Sequence, residues 1–385
     1  MFCGKTELKK LSDKNIGNIE NMKNANLFNE FFINRQDYSS KLKRIIAEYR
    51  YTVFYGCGAI FPPVLNWWRE FLGRDIDFVC DASPDKWGKS FCGIKCISPA
   101  QLLEIEKNSA VFITLGNLPV IYPELKNKGI TNCYLLYDND IRFGNMPEYN
   151  LPETMEKLQL VRDMVADDRS GEVLDTVLKR IFSGDSDPCL MSRIFEDRQY
   201  FVQDLISLSE KESFVDIGAY DGDTIREFLK YSKGKFENIY ALELCKSNFD
   251  KLTEYAAGVH GAEKIHCINK GCWDSLQEVQ YGEALSSSAI GKGALTGIVD
   301  RLDDLLAGKP VTFIKMDIEG AEMNALRGAE NIIRTRKPKM AICVYHDLRH
   351  FYEVPLYLKS LVPEYKIYFR HHTKSCYETV CYATI

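Results

Sequence analysis

Short apolar runs and amphipathic segments alternate along two stretches of the chain. In the first stretch, apolar runs at 52–55, 76–81, 110–116 and 133–138 are separated by segments of helical period. In the second, the predicted strands from residue 213 onward are SFVDIG, NIYALEL, KIHCINKGCW, VTFIKMDIEG, MAICVYH, YKIYFRHH and TVCYAT. Strands that alternate with helices at this spacing are typical of a parallel sheet. The pattern predicts an α/β protein with two tandem Rossmann-like domains.

Two other segments lack this alternation. Residues 1–48 have a polar, helical pattern, and residues 141–212 combine Pro147, Pro152 and Pro188 with long amphipathic stretches. The predicted organisation is an N-terminal helical segment (1–48), a Rossmann-like domain (49–140), a helical connector (141–212) and a second α/β domain (213–385).

Length and charge exclude several classes of protein. With 385 residues, the chain is too long for one average core, which agrees with two domains. A net charge of −5 creates no global field that would attract nucleic acid or an anionic membrane. The N-terminus lacks the pattern of a signal peptide, and no run approaches the roughly 18 apolar residues of a membrane span. We therefore expect a cytoplasmic protein that does not span a membrane.

The cysteines agree with this compartment. They number 13, are irregularly spaced and lie mostly inside apolar runs, and no CxxC pair occurs. Free cysteine packs as a small buried hydrophobe, whereas disulfide frameworks and zinc ribbons need paired, regular spacing. A reducing environment is the expectation.

Acidic residues surround a glycine turn at the start of the second domain. The stretch FVDIGAYDGDT (214–224) places Asp216, Asp221 and Asp223 around two glycines directly after a predicted strand. Glycines there let the backbone turn tightly and let a ligand approach. The carboxylates would repel a pyrophosphate but suit a ligand with a positive charge, amines or hydroxyls.

Two further acidic positions follow predicted strands of the same sheet. Glu243 ends the run NIYALEL about 25 residues after Gly218, the offset at which an acidic group accepts hydrogen bonds from ribose hydroxyls. The run FIKMDIEGAE (313–322) places Asp317 and Glu319 just after another strand. S-adenosylmethionine, with a sulfonium, an α-ammonium and ribose hydroxyls, fits this set of carboxylates. The spacing of Glu243 by itself fits NAD equally well.

The motifs FVDIGAYDGDT, YALEL, INKGCWD, LDDLL and above all FIKMDIEGAEMNALRGAE resemble those of the FkbM family of S-adenosylmethionine-dependent methyltransferases. The resemblance covers roughly residues 195–385. It implies a class I methyltransferase fold with a seven-stranded, mostly parallel sheet and O-methyl transfer to a sugar, glycan or related hydroxyl. It also implies the cofactor contacts. The methionine moiety would lie against Asp216, Gly218, Ala219, Tyr220, Gly222 and Thr224, the ribose against Glu243, the adenine against Cys272 and Trp273, and the methyl donor against Asp317.

Methyl transfer to a sugar hydroxyl needs a group that removes the hydroxyl proton. His346 in AICVYHD and His371 in YFRHHT follow predicted strands at the edge where the ligand would bind. We predict one of them as the base and Arg370 as the group that positions the acceptor or its phosphates. A divalent cation held by the carboxylates of MDIEGAE and one of these histidines is a less favoured alternative.

The first domain has an incomplete dinucleotide fingerprint. The turn YGCGAIF has two glycines, but Phe61 stands where a third small residue belongs, and Asp81 follows at the distance of a ribose contact. A nucleotide-sugar or acceptor site and a domain for substrate presentation or homodimer contacts both remain open.

Three functions of different classes are therefore considered. The first is an S-adenosylmethionine-dependent O-methyltransferase acting on a sugar, glycan or nucleotide-linked sugar. The second is an NAD(P)-linked oxidoreductase or epimerase that uses the first sheet, and the third is a non-catalytic binding module with a methyltransferase fold. The absent third glycine disfavours the second, and the retained Asp216, Glu243 and Asp317 disfavour the third.

Overall fold

The structure is a computed structural model of the 385-residue chain, and it describes residues 38–114, 118–136, 151–183, 187, 189–284, 287–290, 293–375 and 377–385. Most of the predicted N-terminal helical segment and the start of the predicted connector therefore lie outside the described residues. No helix in the described part of the chain is long and apolar enough to cross a membrane.

The first sheet has six strands in the order β3-β4-β2-β1-β5-β6, parallel except for the β3–β4 pair. The elements are α1 (Tyr38–Glu48), β1 (Tyr51–Tyr55), α2 (Phe61–Leu72), β2 (Phe78–Cys80), β3 (Ser90–Phe91), β4 (Ile94–Ile97), α3 (Pro99–Ile105), β5 (Ser109–Ile113), α4 (Leu118–Asn127) and β6 (Cys133–Leu135). This is the α/β domain that the alternating pattern predicts.

An aromatic cluster holds α2 against this sheet. Phe54 of β1 and Phe112 of β5 both pack against the fully buried Trp68 of α2, with ring centroids 5.1 Å apart in each pair. The helix begins with prolines in its first turn and ends at Gly73, which has a left-handed φ of 65°. These start and stop residues fix the length of α2 and so the position of Trp68.

Two helices of the predicted connector, α5 (Leu151–Met164) and α6 (Asp168–Ser183), pack on the second sheet. Leu158 and Leu174 belong to the same buried cluster as Ile367 of that sheet. The hydroxyl of Ser170 accepts a hydrogen bond of 2.9 Å from the backbone N–H of Phe369. These helices therefore share the core of the second α/β domain.

The second sheet has seven strands in the order β16-β17-β15-β14-β7-β8-β9, and only β17 runs in the direction opposite to the other six. Its elements are β7 (Ser213–Ile217), α7 (Asp223–Tyr231), β8 (Asn238–Leu242), α8 (Lys246–Ala257), β9 (Ile265–Ile268), β14 (Phe313–Met316), α10 (Glu322–Gly328), α11 (Glu330–Arg336), β15 (Lys339–Cys343), α12 (His350–Leu361), β16 (Lys366–His371) and β17 (Thr379–Thr384). The predicted fold class, including the seven-stranded mostly parallel sheet, is confirmed.

The central strands β7 and β14 are buried on both faces. Val215 and Ile314 lie in the cluster on one side of the sheet, whereas Phe214 and Phe313 lie in the cluster on the other. Adjacent residues of a strand point to opposite faces, so a strand covered on both sides must be apolar throughout. Asp216 and Lys315 are the charged residues of these two strands, and both are buried.

A small sheet absent from the sequence prediction lies between β9 and β14 along the chain. It has the order β10-β13-β11-β12, built from β10 (Gly271–Cys272), β11 (Gln277–Ala284), β12 (Ser287–Ile290) and β13 (Leu295–Asp300), with the short α9 (Leu302–Leu305) after it. The run KIHCINKGCW, predicted as one strand, is divided at 269–270 into β9 and β10. Lys270 at this break pairs with Asp300 at the end of β13, at 2.8 Å.

Gly328 allows α10 to approach this small sheet. A Cβ atom at Gly328 would lie 1.8 Å from the carbonyl oxygen of Trp273 and 3.3 Å from the Cα of Arg301. Both neighbours are backbone atoms, which cannot move aside as a flexible side chain can. The close contact sets the position of α10, whose first residue is Glu322.

We predict that Gly328→Ala destabilises the protein by about 1–3 kcal/mol, the cost of overpacking a tight contact. Gly258→Ala is the matched control, because its Cβ would meet only one backbone oxygen at an ordinary 3.5 Å. Thermal unfolding of both variants checks this. Equal melting temperatures for the two variants would contradict this prediction, because they would show that the backbone around Trp273 can move away from the added Cβ without loss of stability.

Candidate functional site

A cavity of about 330 Å³ opens beyond the carboxyl ends of β7, β8 and β14. This edge is where ligands bind in open parallel sheets. Its lining residues come from four regions: the glycine turn after β7 (Ile217, Gly218, Tyr220, Asp223, Thr224), the end of β8 and the small sheet (Leu242, Glu243, Leu244, Asn248, Gly271, Cys272), the segment around the end of β14 (Lys315, Asp317, Ile318, Glu319, Ala321), and a group of distant residues (Gln199, Tyr200, Tyr345, Glu378).

A buried ion pair lies beneath the cavity. Asp216 and Lys315 are register partners on β7 and β14, and the Lys315 Nζ lies 3.0 Å from the Asp216 Oδ1. Burial raises the pKa of Asp216 to about 6, although the charge of Lys315 opposes this shift. Burial also disfavours the charge on Lys315, but Asp216 and Asp317 outweigh it and raise the pKa of this lysine. Lys315 lines the cavity, and the Asp216 behind it does not.

The glycine turn after β7 requires its glycines. Gly218 has a φ of +80°, and a Cβ there would lie 2.0 Å from the carbonyl oxygen of Asp317. Gly222 has a φ of +90°, and a Cβ there would lie 2.6 Å from the ring of Tyr255. The N–H groups of Gly218 and Ala219 both donate to the carbonyl of Leu242. Gly218 lines the cavity, whereas Ala219 and Gly222 help to form the turn without lining the cavity.

Glu243 stands at the end of β8 with its carboxylate fixed by backbone groups. One oxygen accepts from the N–H of Tyr220 at 2.9 Å, and the other from the N–H of Cys245 at 2.8 Å. Burial raises the pKa of Glu243, and these two N–H groups work against that rise. A carboxylate has about four acceptor sites, so two remain for a ligand in the cavity.

Of the two residues predicted to contact the adenine, Cys272 lines the cavity and Trp273 does not. Cys272 is buried and lines the cavity beside Gly271 and Leu244. Trp273 is not among the lining residues; its backbone N–H donates to the carbonyl of Asp300. This end of the cavity is the more apolar one.

The opposite end is polar and is built around Asp317. The hydroxyl of Tyr200 donates to the Asp317 Oδ2 at 2.9 Å, and the hydroxyl of Tyr345 lies 3.2 Å from the Oδ1. Tyr345 also contacts the Glu378 Oε1 at 3.1 Å, and Gln199 donates to the other oxygen of Glu378. Burial and the neighbouring Asp317 raise the pKa of Glu378 to about 7. We call this end, formed by these five residues, the tyrosine-carboxylate end.

His346 lies behind Asp317 and is oriented by Glu322. Its Nδ1 is 2.8 Å from the Glu322 Oε1, while its Nε2 is 3.4 Å from the Asp317 Oδ1 and 3.7 Å from the Glu319 Oε2. Burial opposes a charge on the ring, but the three carboxylates outweigh it and raise the pKa of His346 to about 9. The pKa of Asp317 is correspondingly lowered: its burial is outweighed by His346 and Lys315.

The structure does not bring His371 or Arg370 to the cavity. His371 is fully buried, with its ring nitrogens 2.8 Å from the Thr379 hydroxyl and 2.7 Å from the Ser375 carbonyl, and burial lowers its pKa to about 4. Arg370 pairs with Asp167 at 2.6 Å, at the start of α6. Their predicted catalytic and positioning roles have no support in this geometry.

Sequence reasoning missed Lys315, Tyr200, Tyr345 and Glu378. A signal existed for Lys315, because a lysine within the apolar run FIKM requires a buried partner, and Asp216 is the matching exception in SFVDI. Tyr345 follows the same predicted strand as His346 but was not singled out, and no signal existed for Tyr200 or Glu378. Tyr200 and Glu378 are respectively 117 positions before and 61 positions after Asp317 (317 − 200 and 378 − 317), in irregular segments.

The corresponding turn of the first domain is filled by its own side chains. The Asp81 Oδ2 accepts from the Cys57 N–H at 3.0 Å and lies 2.9 Å from the Lys86 Nζ. These contacts lower the pKa of Asp81 to about 2 against the effect of burial. Phe61, at the position of the absent third glycine, is buried in the core.

Comparisons with known proteins bear on the second domain and on the fold. The sequence profile described as "Methyltransferase FkbM domain" matches residues 216–370. No curated protein sequence matches the chain. A crystal structure of methyltransferase FkbM from Methylobacillus flagellatus superposes with a TM-score of 0.74 at 21% identity, covering 93% of this chain and 99% of that one.

More distant likenesses include Aeropyrum pernix fibrillarin in complex with S-adenosylmethionine, with a TM-score of 0.32 at 13% identity over 48% of this chain and 72% of that one. An S-adenosylmethionine-dependent methyltransferase from Aquifex aeolicus has a TM-score of 0.29 at 16% identity over 51% and 97%. The fold is thus shared with the Methylobacillus protein over nearly the whole chain. Most residues that line the cavity lie within the matched segment 216–370, and Gln199, Tyr200 and Glu378 lie outside it.

Proposed function

We propose that the protein is an S-adenosylmethionine-dependent O-methyltransferase whose acceptor is a hydroxyl of a sugar, glycan or nucleotide-linked sugar. The observation that carries the proposal is the fixed carboxylate of Glu243 at the strand end of an acidic cavity, inside a methyltransferase domain. A carboxylate held at this place accepts hydrogen bonds from ribose hydroxyls.

The residues present fit the cofactor. Gly218 lines the cavity, and Asp223 and Thr224 line it next to this glycine. Tyr220 and these two residues would hold the methionine moiety, Glu243 the ribose, and Cys272 with Leu244 the adenine. Acidic groups along this path suit a cofactor that carries a sulfonium and an ammonium. When bound, S-adenosylmethionine supplies a methyl group already activated by its leaving group.

In this proposal the tyrosine-carboxylate end holds the acceptor. Asp317 is kept ionised by His346 and Lys315, and it lines the cavity. Its carboxylate orients the acceptor hydroxyl and accepts the proton as the new bond forms. His346 acts behind it as a positioning residue. Arg370 and His371 have structural roles instead.

The lining of this end supports a hydroxyl-rich acceptor. Gln199, Tyr200, Tyr345 and Glu378 present amide, hydroxyl and carboxyl groups to the cavity. These groups already bond to one another or to Asp317, and a hydrocarbon acceptor would leave their remaining donor and acceptor positions without partners, which is costly. The first α/β domain is proposed to hold another part of the acceptor or to present it. A nucleotide at Asp81 would have to displace the contacts with Cys57 and Lys86.

We predict that Glu243→Gln weakens binding of S-adenosylhomocysteine about tenfold to hundredfold. An amide has one acceptor oxygen where the carboxylate has two, so one backbone N–H loses its partner and the ribose loses a charged acceptor, a loss of about 1.5–3 kcal/mol. Isothermal calorimetry measures it. Glu227→Gln on the exposed face of α7 is the control and keeps the wild-type affinity. Unchanged affinity in Glu243→Gln would move the cofactor elsewhere.

We also predict methyl transfer from labelled S-adenosylmethionine to a member of a saccharide and nucleotide-sugar panel. Asp317→Asn lowers kcat about a hundredfold or more, because the amide cannot accept the hydroxyl proton. Asp250→Asn on the exposed face of α8 serves as the control. Mass spectrometry detects the gain of one methyl group. Absence of any methylated product, despite tight binding of S-adenosylhomocysteine, would favour a binding module over an enzyme.

A further inference from the structure

At the tyrosine-carboxylate end, two carboxylates face one hydroxyl. The Tyr345 hydroxyl lies 3.2 Å from the Asp317 Oδ1 and 3.1 Å from the Glu378 Oε1. Both separations are slightly longer than the usual range of about 2.5–3.0 Å for an O–H···O bond, and such contacts tighten when the reactants bind. One oxygen of Asp317 also lies within 4.8 Å of one oxygen of Glu378. Carboxylates this close disfavour each other's charge.

Two ionised carboxylates would leave one of these contacts without a hydrogen atom. Gln199 donates to the Tyr200 oxygen at 2.9 Å, and Tyr200 gives its own hydrogen to the Asp317 Oδ2. Gln199 also donates to the Glu378 Oε2. The Tyr345 hydroxyl has a single hydrogen, so it can donate to Asp317 or to Glu378 but not to both. A proton on Glu378 completes the set, because Glu378 then donates to Tyr345 while Tyr345 donates to Asp317.

The surroundings decide which of the two carboxyl groups takes this proton. The charges of His346 and Lys315 outweigh burial and lower the pKa of Asp317. Burial and the nearby Asp317 raise the pKa of Glu378 to about 7. Neighbouring carboxyl groups whose pKa values are pushed apart in this way serve as separate proton acceptors. A proton that arrives at Asp317 is therefore more stable on Glu378.

The other titratable groups that face Glu378 keep one charge state near neutral pH. Burial raises the pKa values of three of them well above their usual range, so they stay protonated; these are Tyr200, Cys343 and Tyr345. The ring of His346 stays charged, because the neighbouring carboxylates outweigh burial and raise its pKa to about 9. In the described part of this end, a change of charge around pH 7 therefore belongs to Glu378.

We propose that Tyr345 and Glu378 form a proton relay behind Asp317, an inference that rests on the proposed function. The acceptor oxygen bonds to the methyl carbon, the sulfur keeps the electron pair of the broken C–S bond, and the acceptor proton passes to Asp317. Asp317 hands this proton to the Tyr345 oxygen while Tyr345 gives its own hydrogen to Glu378. The relay ends with Asp317 ionised, Tyr345 neutral and Glu378 protonated.

Glu378 is placed to release the proton afterwards. Its residue is only half-buried, so water can reach it, whereas Tyr345 is buried. Its backbone carbonyl accepts from the N–H of His372 at 2.9 Å, and its side chain accepts from Gln199. These contacts hold the carboxyl group beside Tyr345 between turnovers.

The first part of the test needs neither cofactor nor acceptor. Infrared difference spectra of the full-length protein are recorded between about pH 5 and about pH 9, a range that spans the ordinary and the raised pKa of a glutamate. We expect a carboxylic-acid C=O stretch that disappears with a midpoint near pH 7. Glu378→Gln lacks this band, and Tyr345→Phe keeps it. Glu210→Gln, an exposed residue that pairs with Lys235, is the matched control and keeps it too.

The second part is the pH dependence of kcat with labelled S-adenosylmethionine and the acceptor that the saccharide panel yields. We expect the wild-type kcat to rise through the same midpoint, as ionised Glu378 becomes available. Glu378→Gln and Tyr345→Phe lose this rise, and their kcat at the wild-type plateau falls about tenfold or more with little change in KM. Glu210→Gln keeps the wild-type profile.

The relay is overturned if Glu378→Gln retains the titrating band, or if either relay variant keeps the wild-type pH profile of kcat. Methyl transfer without the band or the rise removes the relay alone. A titrating band without methyl transfer to any acceptor, despite binding of S-adenosylhomocysteine, removes the methyltransferase proposal and the relay with it.

Discussion

The site depends on the close approach of two strand ends, at Gly218 and Asp317. A side chain at Gly218 would place its Cβ 2.0 Å from the Asp317 carbonyl oxygen, so only glycine permits this contact. Lys315 ties the two segments together from below, since its Nζ donates to the Gly218 carbonyl at 2.8 Å and pairs with Asp216. The glycine turn at one side of the cavity and the Asp317 carboxylate at the other are thereby held in one arrangement.

This arrangement concentrates negative charge in a partly buried place. Asp216, Glu243, Asp317 and Glu378 would repel one another, and burial disfavours every one of their charges. Their environments give these carboxyl groups different pKa values. Lys315 and His346 keep the pKa of Asp317 low, whereas burial raises the pKa of Glu378 to about 7. A cationic ligand would relieve the remaining repulsion. The charge distribution of this cavity therefore favours positively charged ligands.

The sequence predicted the parts of the site that follow strands. Glycine turns and acidic strand ends have a fixed offset from apolar runs, so Gly218, Glu243 and Asp317 could be placed in the cavity without coordinates. The sequence-based prediction failed where the position of a residue depends on the direction of its side chain or on the course of a loop. His371 follows a strand at the expected edge, yet its ring is buried beside Thr379. Tyr200 and Glu378, both with a left-handed φ of 66°, come from irregular segments whose course no periodicity predicts.

The segment 370–372, which includes the predicted Arg370 and His371, has another use, and it bears on the site. Arg370 pairs with Asp167, and the backbone beside it bonds to Ser170, which fastens α6 to β16. The His372 Nδ1–H donates to the carbonyl of Glu196 at 2.8 Å, and the Nε2 lies 2.8 Å from the hydroxyl of Tyr382.

That same Tyr382 hydroxyl accepts from the backbone N–H of Tyr200 at 3.0 Å. The connector is therefore held to the outer strands of the sheet immediately before Tyr200, whose hydroxyl reaches Asp317. Burial lowers the pKa of His372 to about 4, so its ring stays neutral and this attachment does not change near neutral pH. The outer strands contribute to the cavity indirectly, because they hold the connector at Glu196 and Tyr200 and so determine where this tyrosine meets the Asp317 carboxylate.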